Sequence, residues 1–368
     1  HNVTMEKGSV AQEGSVITIN DNSTMNINAD SMNDRDSSSG SPITGGSFNA
    51  DLKSDGVEGG VNGTVNVSNK NTDRTHALNF TSDNSEFNGQ FNHLGGMIKF
   101  EGVNADNAAK FFNGTNVIGD GDSANGTSSV IFAANSVVQG QNTINEDGSF
   151  VLTDGSSIDQ KAGINLTTGG KLYIENTIAS DLELTVGVEG SGDATINKTG
   201  DGKVLVSVNQ NEYTGIFNHS DGTTVLGTGI KFFNGKNNIT GGTVDAATNA
   251  GAIINGTNTI TGAGNMIIGD TTVVNSDTIT VGNIANDPSG KLTLQTDPNN
   301  EVDLNVKFDI VSGATGSGTV EMVGAGALNL DNPNQNLSGF TGVFSQSVAG
   351  VTNVFGKFFG GTNNITAG

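Results

Sequence analysis

The chain has 368 residues, among them 54 Gly and no Cys or Trp, and only 33% of its residues are hydrophobic. Its formal net charge of −22 at pH 7 excludes a nucleic-acid partner, because its 16 Lys and Arg residues are spread too thinly to neutralise a phosphate backbone. No apolar run approaches the length of about 18 residues that a membrane-spanning helix needs, so no membrane insertion is expected.

The hydrophobic residues are of the kind that forms β structure. They are mainly Val, Ile, Leu and Phe, and they alternate with Thr, Ser and Asn along the chain. Disordered segments lack β-branched and aromatic residues and are rich in Pro, whereas this chain has 18 Phe and only 4 Pro. We therefore expect a folded chain whose thin core is divided into many regularly spaced parts.

The N-terminal part of the chain contains a segment that interrupts this pattern. Residues 32–46, MNDRDSSSGSPITGG, are predicted to form a protruding loop. Further along, short runs of β-branched residues bounded by Gly, Asn, Asp or Ser predict strands. Examples in chain order are SVIFAAN (129–135), SFVLTD (149–154), KLYIEN (171–176), KVLVSVN (203–209), NMIIGDT (265–271) and KLTLQTD (291–297).

Two phrases recur three times in the same order. The KFF phrase begins at Lys110, Lys231 and Lys357. A phrase with two aromatic residues precedes each copy, at 86–93 (EFNGQFNH), 212–219 (EYTGIFNH) and 339–346 (GFTGVFSQ). The copies predict a single solenoid of three long repeats and the start of a further one, with the approximate bounds 1–113, 114–234, 235–360 and 361–368.

A shorter motif, Gly-x-Asn-x-Ile, lies within the long repeats. Its copies begin at Gly114, Gly140, Gly235, Gly256 and Gly361, with neighbours 26 or 21 residues apart. A β-sandwich closes after about 100 residues, whereas the coils of a parallel β-helix stack without limit, each about 22 residues long. The sequence therefore predicts an all-β parallel β-helix, an elongated rod, in which recurrent Asn side chains form ladders between coils.

The stretch INKTGDGKVLVSVNQNEYTGIFNHSDGTTVL (196–226) resembles the repeat of passenger domains of bacterial type V autotransporters. That repeat combines apolar-Lys-x-Gly-x-Gly, a Leu-rich strand, Asn-x-Tyr-Thr-Gly and Gly-Thr, and the matching positions are Lys198, Gly200, Gly202, Leu205, Tyr213, Thr214, Gly215, Gly222 and Thr223. The third repeat has Val323 in place of the Lys and matches at Gly324, Gly326, Leu328, Phe340, Thr341 and Gly342. The first repeat matches only at Phe87, Asn88 and Gly89.

The resemblance covers about a third of the chain, and it implies a right-handed parallel β-helix at the bacterial cell surface or secreted from the cell. Passengers of this kind are mostly adhesins or self-association modules. The implied partners are therefore a host-cell or matrix protein or glycan, or a sister molecule.

The residues do not indicate an enzyme. Ser123, in GDGDSANG (119–126), lacks the following Gly of the nucleophile turn in serine-protease passengers, and no matched His–Asp pair accompanies it. The same string could hold Ca²⁺ through Asp120, Asp122 and Asn125, but it occurs once, whereas the glycine–aspartate calcium motif repeats. We expect no catalytic residue, cofactor or metal, and the calcium hypothesis is the less favoured one.

Polysaccharide-cleaving β-helices offer a further comparison. The string NTD at 71–73 is similar to one of their motifs, but the companion Asp-Asp, Gly-His-Gly and Arg-x-Lys strings are absent from the sequence. A pair of carboxylates for glycoside hydrolysis stays an open alternative, because acidic residues are plentiful. His93 and His219 occupy equivalent repeat positions without metal-ligand spacing, and they are predicted to be structural.

The Phe pair of the KFF phrase has two interpretations. Alternation along a strand would place one Phe inside and one outside, unless the chain bends there. In the favoured interpretation, the inward Phe fills a wide part of the core and Gly-Asn forms the next turn. In the other, Phe112, Phe233 and Phe359 form an exposed row that docks a partner or a sister molecule.

The functional hypothesis is an extracellular adhesin or self-association module that binds through its lateral face. No binding residue can be named from the sequence. The alternatives are a structural fibre subunit that polymerises and, less favoured, an enzyme that acts on polysaccharide.

Overall fold

The computed structural model describes residues 2–4, 10–11, 16–20, 23–28, 47–48, 50–54, 63–68, 74, 77–121, 127–177, 180–276, 278–282, 289–296, 303–313, 318–330 and 337–366. These residues contain no α-helix, and a short 3-10 helix spans Leu337–Gly339. The predicted loop at 32–46 lies outside the described residues.

The described residues form short strands that are numbered here in chain order. The first twenty are β1 (Asn2–Thr4), β2 (Val10–Ala11), β3 (Val16–Ile19), β4 (Thr24–Asn28), β5 (Ser47–Phe48), β6 (Asp51–Ser54), β7 (Thr64–Ser68), β8 (Leu78–Phe80), β9 (Gln90–Phe100), β10 (Ala109–Lys110), β11 (Thr115–Ile118), β12 (Ser128–Phe132), β13 (Ser136–Val138), β14 (Gln141–Ile144), β15 (Gly148–Thr153), β16 (Ser156–Ile158), β17 (Gly163–Leu166), β18 (Lys171–Glu175), β19 (Leu182–Leu184) and β20 (Val188–Gly190). The others are β21 (Thr195–Thr199), β22 (Lys203–Val206), β23 (Ile216–His219), β24 (Thr223–Leu226), β25 (Lys236–Ile239), β26 (Thr243–Asp245), β27 (Ile253–Ile254), β28 (Thr257–Ile260), β29 (Asn265–Gly269), β30 (Val273–Val274), β31 (Thr278–Val281), β32 (Lys291–Gln295), β33 (Leu304–Val306), β34 (Asp309–Ser312), β35 (Thr319–Val323), β36 (Ala327–Leu330), β37 (Val343–Gln346), β38 (Val351–Val354) and β39 (Thr362–Ile365).

The chain divides into two compact units. Unit 1 comprises His1–Glu175 and Thr185–Thr195, and its strands pair in parallel with those one coil later. One ladder contains β1, β4, β7, the first half of β9, β11, β14, β17 and β20. A second contains β2, β5, β8, the second half of β9, β12, β15 and β18. Shorter ladders join β3 to β6 and β10 to β13 and β16.

Unit 2 comprises Asn176–Leu184 and Ile196–Gly368 and follows the same plan. A nine-stranded parallel sheet contains β19, β22, β24, β26, β29, β32, β35, β37 and β39. A second parallel ladder contains β23, β25, β28, β31 and β34, and shorter ladders join β27 to β30 and β33 to β36 and β38. The predicted all-β fold with parallel, stacked coils, a β-solenoid, is therefore confirmed; its handedness stays a prediction.

The register between strands gives the length of each coil. Lys236 pairs with Thr257, 21 residues later, and Thr115 pairs with Gln141, 26 residues later, which agrees with the spacing of the Gly-x-Asn-x-Ile motif. The pairing of Thr24 with Thr64 makes one coil 40 residues long.

The core lies between the ladders of each unit. In β14, Asn142 and Ile144 are buried, whereas Gln141 is exposed and Thr143 is half-buried. The same alternation runs through most strands, because successive side chains of a strand point to opposite faces of the sheet. The inward side chains are mainly Val, Ile, Leu and Phe, and each stabilises the fold by about 1.5–3 kcal/mol when it is fully buried.

Candidate binding face

The Gly-x-Asn-x-Ile motif is one strand of a coil. In β11, Asn116 and Ile118 point into the core and are fully buried, whereas Thr115 and Val117 point outward. The motifs at β14, β25 and β28 follow the same pattern. The motif therefore combines a conserved inward pair with two outward positions whose side chains vary.

The glycine that begins the motif lies directly against the preceding coil. A Cβ added to Gly235 would lie 1.9 Å from the carbonyl oxygen of Gly215, and one added to Gly114 would lie 1.9 Å from that of Gly89. These contacts involve backbone atoms, which cannot move aside without disturbing the stacking of the coils. Glycine is required at this corner for that reason.

The inward Asn binds the KFF phrase that precedes it. The side-chain amide of Asn116 donates to the carbonyl oxygen of Phe112 at 2.9 Å, and that of Asn237 donates to the oxygen of Phe233 at 3.2 Å. Asn363 makes the same bond to Phe359 at 3.2 Å. The recurring sequence of KFF followed by Gly and Asn therefore forms the same turn three times.

Two of these Asn residues, Asn116 and Asn237, are fully buried and form ladders, as predicted. The amide of Asn116 donates to Asn142 Oδ1 at 2.9 Å, and the amide of Asn237 donates to Asn258 Oδ1 at 3.0 Å. In the coil before each ladder, a Phe occupies the position of the Asn. Phe91 is in register with Asn116, and Phe217 is in register with Asn237. These bonds satisfy the amide N–H groups of Asn116 and Asn237 and the amide oxygens of Asn142 and Asn258, whereas the amide oxygens of Asn116 and Asn237 have no hydrogen-bond partner among the described residues.

The interpretation of Phe112, Phe233 and Phe359 as an exposed docking row is wrong. These side chains are only 0%, 1% and 5% exposed. The expectation that one Phe of each pair points outward also fails at Phe111 and Phe232, which are buried too. The physical reason is that the phrase lies at a bend between strands, where the two-residue alternation does not apply.

The aromatic residues of the two recurring phrases pack together in all three copies. Phe112 stacks on Phe91 with ring centroids 4.2 Å apart, and the corresponding distances are 4.7 Å for Phe217–Phe233 and 4.9 Å for Phe344–Phe359. A further aromatic ring meets the second Phe of each KFF phrase edge-on, namely Phe87, Tyr213 or Phe340. The favoured interpretation, a core-filling role, is therefore the correct one.

The outward positions of one ladder in unit 1 carry amides and hydroxyls, and we call this surface the unit 1 polar face. In strand register it consists of Thr24, Asn26, Thr64, Asn66, Gln90, Asn92, Thr115, Val117, Gln141, Thr143, Gly163, Asn165 and Glu189. The Asn66 amide donates to Asn26 Oδ1 and the Asn92 amide donates to Asn66 Oδ1, both at 2.8 Å.

Unit 2 has a similar surface, the unit 2 polar face. It consists of Asn197, Ile216, Asn218, Lys236, Asn238, Thr257, Thr259, Thr278, Thr280, Asp309 and Val311. The Asn218 amide donates to Asn197 Oδ1 at 2.9 Å, and the Asn238 amide donates to Asn218 Oδ1 at 3.0 Å. Pairs of Thr continue the same columns on the following coils.

Both polar faces are almost free of charge. The unit 1 polar face has one charged residue, Glu189, and the unit 2 polar face has Lys236 and Asp309, which are opposite in sign. None of the ion pairs between two described residues involves either face. Asn66 and Asn218 each use one amide N–H and one lone pair of the amide oxygen within their ladders, so each has a second N–H with which to bind a partner.

The unit 1 polar face has a shallow depression. It is lined by residues of β14, β17 and β20 and by Gly187, and these include Gln141, Thr143, Asn165 and Glu189. The absence of a side chain at Gly163 leaves room for the depression, since a Cβ at that position would lie 2.1 Å from Gln141 Oε1. Sequence reasoning named none of these residues, although the variable positions of Gly-x-Asn-x-Ile were the signal that could have identified them.

The two repeated histidines are buried in the core. The Nε2 atom of His93 lies 2.9 Å from the Gly96 carbonyl oxygen, and Nδ1 of His219 lies 2.8 Å from that of Gly241. Burial lowers the pKa of each imidazole to about 4, so both are neutral at pH 7. Each imidazole therefore lies in the core beside a backbone carbonyl oxygen, and the structural role of the two histidines stays a prediction.

Lys198, a position of the autotransporter-like motif, is also buried. Its ammonium group donates to the carbonyl oxygens of Thr199, Gly200 and Asp221, the longest of these bonds being 3.2 Å. Burial lowers the pKa of this ammonium group. The lysine therefore joins two successive coils at a turn and has a structural position.

The residues tested for chemistry do not form a described catalytic or metal-binding cluster. Ser123, Asp122, Asn125 and the NTD string at 71–73 lie outside the described residues. Among the residues that the structure describes, no group of three or more His, Asp or Glu side chains could hold a metal ion.

Comparisons with known proteins identify no relative. No family model matches the chain, and neither a curated protein nor a solved structure matches it. In the described part of the chain, no helix is long and apolar enough to cross a membrane.

Proposed function

We propose that the chain is an adhesive module at the bacterial cell surface, or secreted from the cell, that binds through its polar faces. The observation that supports this function best is the contrast in charge. Two columns of amides and hydroxyls, repeated coil after coil, carry almost no charge on a chain whose net charge is −22. A partner can approach such a surface without like-charge repulsion.

The repetition of the columns suits binding by many weak contacts. Parallel strands lie about 4.8 Å apart, so each coil presents the same groups at a regular step. Ladder hydrogen bonds already hold the Asn side chains, and less conformational entropy is lost when they bind. The partner is a host-cell or matrix protein or glycan, or a second copy of this chain.

Two matched pairs of substitutions test the role of the unit 2 polar face. Thr259 and Thr280 are neighbours in register on that face, and Thr223 and Thr243 are neighbours in register on the nine-stranded sheet. We expect T259E/T280E to weaken binding to cells and to surfaces coated with fibronectin or laminin by about tenfold, because charge must then be desolvated. T223E/T243E is the control and should bind like the original chain.

Sedimentation of the same variants over a concentration series distinguishes a sister molecule from a foreign partner. If T259E/T280E abolishes concentration-dependent association, the partner is a second copy. Equal binding by the two double variants, with both folded, would contradict the use of this face. T143E/N165E provides the same comparison for the unit 1 polar face.

A further inference from the structure

A buried carboxylate lies beneath the turn at 119–121 in unit 1. Asp147, between β14 and β15, is only 7% exposed. Its Oδ1 atom accepts a hydrogen bond from the Gly121 N–H at 3.1 Å, whereas its buried Oδ2 atom has no hydrogen-bond partner among the described residues. One oxygen atom of this buried carboxylate therefore lacks a hydrogen bond.

A second buried oxygen adjoins it. The Ser128 N–H donates to the backbone carbonyl of Asp147 at 2.9 Å, and the Ser128 side chain is fully buried. Its Oγ atom also has no hydrogen-bond partner in the described part of the chain. Among the eight buried side-chain atoms of the described residues that have no hydrogen-bond partner, these two lie on residues that a backbone hydrogen bond joins, so a single ligand could satisfy both.

No described cationic side chain neutralises Asp147. None of the ion pairs between described residues includes it. His93 directs Nε2 to the Gly96 carbonyl oxygen, 2.9 Å away. A buried anion without a counter-charge is strongly unfavourable, so a bound cation would explain it.

The turn that contacts Asp147 also contains an aspartate. Gly119 and Gly121 have φ angles of +84° and +80°, which glycine adopts readily, and the exposed residue Asp120 lies between them. A Cβ at Gly119 would lie 2.1 Å from Asp147 Oδ1, so the carboxylate packs directly against this turn.

We propose that Asp147 Oδ2, the Asp120 carboxylate and Ser128 Oγ belong to a binding site for Ca²⁺. The donors are all oxygen atoms, and two are carboxylates, which suits a hard cation of this size better than a transition metal. The ion links the turn at 119–121 to the coil that carries Asp147. The site is independent of the polar faces and of the adhesive function.

The test is calorimetric titration of chelator-treated protein with Ca²⁺, together with thermal unfolding in Ca²⁺ and in EGTA. We expect one Ca²⁺ per chain and a higher unfolding temperature in Ca²⁺, because binding to the folded state alone stabilises it. D147N and D120N should each weaken Ca²⁺ binding at least about tenfold. D159N, a partly exposed Asp in the same unit whose carboxylate accepts the Lys161 N–H, should leave it unchanged.

Three results would overturn the proposal. They are no heat of binding and no thermal shift at millimolar Ca²⁺, wild-type affinity in D147N, and an equal loss in D159N. If D147N does not fold, D120N decides, because Asp120 is exposed and its substitution leaves the core intact. Wild-type Ca²⁺ affinity in D120N would then contradict the site.

Discussion

At the scale of single residues, histidine replaces an aliphatic side chain in two coils. His219 is in register with Ile239, and His93 with Ile118, and all four side chains are buried. A neutral imidazole fits this position, but a charged one does not, because the core cannot solvate it. The fold is therefore sensitive to acid at two defined points.

We expect the free energy of unfolding to fall as the pH decreases from about 6.5 to about 4. The unfolded chain binds a proton at each His near pH 6.5, whereas the folded chain resists it until its pKa of about 4, so each His contributes a loss on the order of 3 kcal/mol. Urea unfolding at pH 7, 6 and 5 measures the effect. H219Q should lose roughly half of this pH dependence, and H93Q/H219Q nearly all of it. An unchanged pH dependence in the double variant would show that other groups cause it.

The requirement for glycine at the start of each Gly-x-Asn-x-Ile motif can be tested by urea unfolding of alanine variants. G235A should reduce the free energy of unfolding by about 3 kcal/mol, because its Cβ would collide with the Gly215 carbonyl oxygen at 1.9 Å. Gly339 is a matched control, since a Cβ there would lie 3.5 Å from its nearest neighbour, the Val311 side chain. G339A should change stability by less than about 0.5 kcal/mol. Equal losses in the two variants would contradict the close-approach argument.

At the scale of the coil, each pair of recurring phrases forms a compact aromatic cluster. The second Phe of each KFF phrase packs closely on one ring and meets another edge-on, and the following Asn donates a hydrogen bond to its carbonyl oxygen. The two phrases therefore recur together because they are two halves of one packing unit. Neither half could change its aromatic residues alone without leaving a cavity.

Removal of one ring from the second cluster should be costly. F233A is expected to reduce the free energy of unfolding by about 3–5 kcal/mol, because Phe233 is 1% exposed and packs against Tyr213 and Phe217. F355A is the control, since Phe355 is 61% exposed, and it should have little effect. Chemical denaturation measures both, and a similar loss in F355A would contradict the packing argument.

At the scale of the whole molecule, the charged ion pairs and the nearly uncharged polar faces lie on different ladders. The ion pairs Lys99–Glu101 in unit 1 and Lys291–Glu321 in unit 2 lie on ladders other than the polar faces. A large net negative charge favours solubility and limits non-specific association. A nearly neutral surface on such a chain is where specific association costs least, and the proposed adhesive function depends on this distribution.

The sequence predicted the β-solenoid and the Asn ladders correctly, whereas the structural role of the two histidines stays a prediction. It did so because alternation along a strand and the Gly and Asn of turns are local features, and they repeat at the length of one coil. The orientation of Phe111 and Phe232 could not be predicted, because a bend replaces the strand there. The division into three long repeats, the autotransporter resemblance and the alternative fibre and enzyme functions stay hypotheses.

The sequence by itself determined the fold class and the ladders that recurrent Asn side chains form between coils. Only the tertiary structure decided which outward positions join into the two polar faces, and which residue lies beneath the turn at 119–121. Asp147 and Gly121 are 26 residues apart, and they meet because the register between coils brings them together. Register depends on the length and turns of every coil, and no local pattern in the chain specifies it.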